Sequence, residues 1–69
     1  MIFECIHDGQ PFTIEAEDLR GALRKVWDLI GDDPTMRYQV NDQDQRAIVT
    51  TRHPASCWAI RQTVSQQNI

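Results

Sequence analysis

The side chains best suited to nucleophilic chemistry in this chain are Cys5, Cys57, Ser56 and Ser65, and the bases that could activate them are His7 and His53. Nucleophilic catalysis needs a hydroxyl or thiol held within hydrogen-bond reach of a base, with a third group orienting that base. None of the six lies in a motif that would enforce this. His7 precedes the turn signal Asp8-Gly9 and His53 precedes Pro54, so both read as solvated loop residues. The expectation is a protein that is not an enzyme. The two cysteines have no C-x-x-C or H-x-x-x-H spacing around them, which argues against zinc. They read as buried thiols, with a single disulfide joining the two ends of the chain as the alternative.

The segment NDQDQ sets Asp42 and Asp44 two apart, as at the start of a calcium loop. The match ends there. Counting Asp42 as the first position, the fifth is Arg46, the sixth is Ala47 where the loop needs Gly, and no Glu stands at the twelfth. The segment reads as a polar hairpin turn, and no metal or other cofactor is expected. Arg37, Arg46, Arg52 and Arg61 all fall in the second half, with Tyr38 and Trp58 among them. Arginine and aromatic side chains on a sheet can hold a single strand of nucleic acid. The net charge of −3 weighs against a phosphate-binding domain, which usually carries a basic excess.

The elements that must position these residues are legible from periodicity. IFECIH, residues 2–7, is short and β-prone, and Asp8-Gly9 suits the positive-φ positions of a two-residue hairpin. PFTIEA, residues 11–16, alternates, with Phe12, Ile14 and Ala16 on one face and Thr13 and Glu15 on the other. Leu19, Ala22, Leu23, Val26, Trp27 and Ile30 then follow the spacing of one apolar helix face. Asp18 is the expected N-cap with Glu17 as the alternative, Gly31 sits at the C-cap, and Pro34 stops continuation. Gly21 lies mid-helix, where it costs about 1 kcal/mol relative to Ala, with exposure or close packing as its explanation.

MRYQVN, residues 36–41, alternates again, with Met36, Tyr38 and Val40 sharing a face, and RAIVTTR, residues 46–52, is a β-rich run. After the break HPAS, the segment CWAIRQTV reads in two ways. As a strand it aligns Trp58, Ile60, Gln62 and Val64; as a helix it aligns Cys57, Ile60, Arg61 and Val64. Strand is favoured by the Trp, Ile, Thr and Val content, and helix stays open. The closing SQQNI reads as a frayed end. The expectation is an α+β fold in one small domain, residues 1–69: a small antiparallel sheet with one helix packed across one face, in the order β-β-α-β-β-β, the last element strand or helix.

A chain of 69 residues that is 41% hydrophobic can fold, though a domain this small buries only about 60% of the surface its unfolded chain exposes. No apolar run approaches the roughly 20 residues of a membrane helix, and MIFECIHDG lacks the basic and long apolar regions of a signal peptide. A cytoplasmic protein with no membrane partner is expected. Charge is uneven. Residues 1–35 hold eight acids and three bases, a net of −5, whereas residues 36–69 hold two acids and four bases, a net of +2. An acidic half can steer association with a basic protein surface. The expected partner-binding residues are Glu15, Glu17, Asp18, Asp28, Asp32 and Asp33.

The junction FTIEAEDLRGAL resembles the strand-to-helix layout of small phage-encoded anti-CRISPR proteins, over residues 2 to about 30. The resemblance lies in layout, with Ala16 and Ala22 small where strand and helix pack closely. It implies an inhibitor in a host bacterium's cytoplasm that binds a Cas effector subunit and blocks the complex's interaction with DNA, without catalysis. It carries over no functional residue. The alternatives are a small nucleic-acid-binding module using Arg37, Tyr38, Arg46, Arg52 and Trp58, and a homodimeric structural domain with a sheet face or edge buried between copies.

Overall fold

The computed structural model describes residues 1–52 and 54–63. His53, Val64, Ser65 and the rest of the SQQNI end lie outside the described residues. Five strands and one helix follow in the order β1 (Ile2–His7), β2 (Gln10–Glu15), α1 (Leu19–Ile30), β3 (Arg37–Asn41), β4 (Arg46–Arg52) and β5 (Ala55–Gln62). The fold is α+β, and the ambiguous last element is a strand. All pairings are antiparallel, in the spatial order β2-β1-β5-β4-β3. β5 is therefore the central strand, joining β1 on one side to β4 on the other.

Local chemistry sets the boundaries. Asp8 and Gly9 take φ of 49° and 87°, the left-handed pair that a two-residue hairpin between β1 and β2 requires. Asp18 caps α1, its carboxylate accepting from the Gly21 N–H at 2.8 Å. Gly31 ends it at φ 83°, with its N–H donating to the Trp27 carbonyl. Close packing accounts for Gly21: a Cβ there would stand 3.2 Å from the Asp18 carboxylate and 3.4 Å from the Ala16 Cβ. A side chain at this position would crowd the cap and the strand-to-helix junction together.

The core lies between α1 and one face of the sheet. Leu19, Ala22, Leu23 and Val26 of the helix meet Phe3, Cys5, Ile14, Ala47, Val49, Trp58 and Ile60 of the strands. Burying side chains of this size stabilises by about 1.5–3 kcal/mol each. α1 packs mainly against β5, β2 and β4 and reaches β3 at its margin, through Trp27. Trp27, expected on the buried helix face, is consequently 41% exposed and leans on Tyr38 of β3, ring centroids 5.7 Å apart. Cys5 is buried on the covered face and Cys57 is exposed on the other, so both are free thiols and no disulfide joins them. Burial pushes the Cys5 thiol up to about 11.

Candidate functional site

Register fixes which side chains share the sheet's second face, the one α1 does not cover. Strand residues directly opposite each other point the same way. Ile6 pairs with Ala59, which pairs with Ile48, which pairs with Gln39. In the next row Glu4 pairs with Arg61, Arg61 with Arg46, and Arg46 with Asn41. Toward the other end, Thr50 pairs with Arg37 and with Cys57, and Arg52 with Ala55. All four arginines of the chain's second half therefore stand on the open face. They surround an apolar strip of Ile6, Ala59 and Ile48, of which Ile48 is 46% exposed.

Arg61 Nε donates to Glu4 Oε1 at 2.8 Å. Arg37, Arg46 and Arg52 have no carboxylate partner among the described residues. Glu4 and Glu15 are the acids that the strands contribute to this face. A guanidinium left without an internal partner is available to a carboxylate or phosphate from outside, which it can grip through two parallel N–H groups. The open face thus carries a basic excess although the whole chain is acidic.

The aromatic residues expected to join the arginines lie elsewhere. Tyr38 pairs with Val49 and Trp58 with His7 and Val49, all on the covered face. Alternation puts Tyr38 opposite in sense to its neighbour Arg37, and Trp58 opposite to Arg61. The sheet face that combines arginine with stacking aromatics does not form. Trp58 is instead core, stacked on the His7 ring at 3.6 Å with Phe12 edge-on, and its indole N–H has no hydrogen-bond partner among the described residues.

The acidic residues divide. Asp18 is used as the cap, beside the exposed Glu17 at the start of α1. Asp28 lies 3.9 Å from Arg24, Asp32 is exposed beyond Gly31, and Asp33 binds the Thr35 backbone N–H and hydroxyl, all near the helix's far end. Nine helical residues, a rise of about 15 Å, separate Asp18 from Asp28, the nearest member of the second group. Arg20, Arg24 and Lys25 stand between them, Arg20 bound to Asp42 at 3.1 Å and Lys25 to the Glu15 carbonyl. Glu15 itself is on the edge strand β2, at a corner of the open face.

Of the nucleophile and base candidates, the fold brings Ser56 and His7 together. His7 Nε2 is 2.8 Å from Ser56 Oγ, and the Ser56 hydroxyl donates to Asp8 Oδ2 at 3.0 Å. With its proton committed to Asp8, the serine accepts from His7 rather than giving that proton to a base. Asp8 also accepts from the Cys57 N–H at 2.9 Å while its own N–H donates to the Cys57 carbonyl. These bonds, the Cys57 N–H foremost and the Ser56 hydroxyl next, hold the Asp8 carboxyl below its ordinary value. The cluster is a clasp that fastens the β1–β2 turn to the start of β5. In the β3–β4 turn, Asp42 binds Arg20 and Asp44 binds Asn41, the polar hairpin expected there. Among the described residues no group of three or more His, Cys, Asp or Glu is placed to hold a metal, and no helix is long and apolar enough to cross a membrane.

No family model, no curated protein and no solved structure matches this chain. Its functional reading rests on the open face alone. The residues that sequence reasoning passed over are Ile6, Ile48 and Ala59. The signal for Ile48 was present in RAIVTTR, where it alternates in step with Arg46, Thr50 and Arg52 rather than with Val49.

Proposed function

We propose that this chain is a non-enzymatic protein-binding module whose contact surface is the open face of the sheet. The observation that carries the reading is the gathering of Arg37, Arg46, Arg52 and Arg61 around the exposed Ile6 and Ile48. An apolar centre with a polar, arginine-bearing rim is the usual anatomy of a protein interface. The complementary partner is a protein surface with an apolar centre ringed by carboxylates. On this reading the acids Glu17, Asp18, Asp28, Asp32 and Asp33 serve capping, turn formation and solubility rather than contact.

The narrower reading is an inhibitor of phage type that binds a Cas effector subunit and keeps the complex from DNA. The β-β-α-β-β-β order and the strand-to-helix junction support it. A nucleic-acid-binding reading gains from the four arginines sharing one face and loses from the absence of stacking aromatics on it.

The deciding experiment compares wild type with an Arg46→Glu, Ile48→Asp variant against purified Cas effector complexes and against single-stranded DNA and RNA. The expected result is stoichiometric capture of an effector subunit by wild type and its loss in the variant. Capture unchanged in the variant would remove the open face from the reading. Retention of nucleic acid alone, weakening steeply with salt, would replace it with the nucleic-acid reading.

A further inference from the structure

The two edges of the sheet are not equivalent. β2 carries Pro11, which has no N–H to offer a neighbouring strand. β3, RYQVN, has no proline, no lysine and no glycine. Its outward N–H and C=O groups form a row that no proline or lysine interrupts, with Arg37 as its one charge. α1 meets β3 only at its margin, so Tyr38 is 50% exposed and Trp27 beside it 41% exposed. This edge is thus flanked by a partly exposed apolar ledge of Tyr38 and Trp27, with Val40 half-buried beside them.

We infer that two copies of this chain join through β3, antiparallel about a two-fold axis at Gln39, so that the two five-stranded sheets run together. This register uses all five residues of β3. Arg37 falls opposite the partner copy's Asn41, Tyr38 opposite its Val40, and Gln39 opposite its own counterpart. Every pair joins residues of the same parity, so outward-facing backbone groups meet outward-facing ones and the covered and open faces stay in register.

The side chains complement one another. On the covered face the register makes two Tyr38–Val40 contacts with Trp27 of each copy beside them, and it places both helices on one side of the joined sheet. On the open face it sets each Arg37 against an Asn41 whose amide holds Asp44 at 3.2 Å. Among the described residues the Arg37 guanidinium binds only the Met36 carbonyl, at 3.1 Å. The second copy supplies the carboxylate it lacks, twice over by symmetry. A shallow cleft lined by Gln39, Asn41, Asp44, Arg46 and Ile48 opens at this edge to receive it.

The test is the solution mass of the full chain by light scattering and sedimentation, over concentrations from micromolar to millimolar. A concentration-dependent dimer is expected. Gln39→Lys, which places like charges face to face across the axis, should weaken it about fivefold. Arg37→Asp should weaken it similarly, and adding Asp44→Arg should restore it. In a Cys57→Ser background, Gln39→Cys should oxidise to a covalent dimer, since opposed Cα atoms about 4.5–5.5 Å apart suit a disulfide. Thr13→Cys on the β2 edge should not. A chain that stays monomeric throughout, or a dimer untouched by Gln39→Lys or linked through Thr13→Cys, would overturn the inference. Gln39→Lys and Gln39→Cys leave the arginines, Ile6 and Ile48 of the open face in place, so the edge is tested apart from the partner-binding surface.

Discussion

On one side of β4 stand Ala47, Val49 and Thr51, all at least nine-tenths buried; on the other stand Arg46, Ile48, Thr50 and Arg52, all exposed. One strand thus contributes to two surfaces under opposite constraints. The covered face is filled by α1, and its residues are chosen for volume. Among the described residues the open face has no second layer, and Ile6 and Ile48 of its apolar strip stand exposed for contact. A sheet with a helix on one side and nothing on the other separates stability from recognition by residue parity.

That separation can be broken most severely from the covered side. Phe3→Ala removes a fully buried ring between β2, β5 and α1 and should cost about 3–5 kcal/mol in denaturant unfolding. Asp18→Ala deletes the cap of the covering helix and should cost about 1 kcal/mol by the same measurement. Ile48→Ala probes the other side. It should cost less than about 1 kcal/mol in stability while weakening partner capture, and a large loss of stability would show that the open face is structural after all.

The smallest expected effect is set by pH. The folded state holds the Asp8 carboxyl below its usual value of 3.8. The clasp therefore contributes fully above the unfolded value and is lost as pH falls through the lowered folded one. Urea midpoints of wild type and Asp8→Asn should accordingly converge as the solution is acidified below 3.8. Midpoints that stay parallel would mean that the carboxylate's bonds to Ser56 and Cys57 add nothing to stability.

Features governed by neighbours in sequence were legible beforehand. The Asp8-Gly9 hairpin, the Asp18 cap, the Gly31 stop and the helix of residues 19–30 all depend on interactions within a few positions. The sheet order was not, because β1 reaches β5 across fifty residues and periodicity says nothing about which strand is the neighbour. Trp27 fits the apolar helix template yet lies on its flank, since the template does not reveal that α1 meets β3 only at its margin. The arginine face was half legible. Alternation alone separates Arg37 from Tyr38, but gathering Arg37, Arg46, Arg52 and Arg61 on one surface needs the register between strands. The acids form an excess in composition and no single patch in space, because a helix with basic residues along it divides them.

The central place of β5 has a kinetic consequence. β1–β2 and β3–β4 are hairpins that can close within microseconds, yet among the strands neither pairs with the other. Each docks onto β5, the last of the described strands to leave the ribosome. During synthesis the two hairpins and α1 must wait with apolar flanks uncovered until residues 55–62 emerge. The cooperative step is then the insertion of one strand between two waiting edges, a long-range closure of the kind that slows folding. A chain stopped before Ala55 should remain collapsed without fixed packing, and a separately supplied 55–63 peptide should complete it.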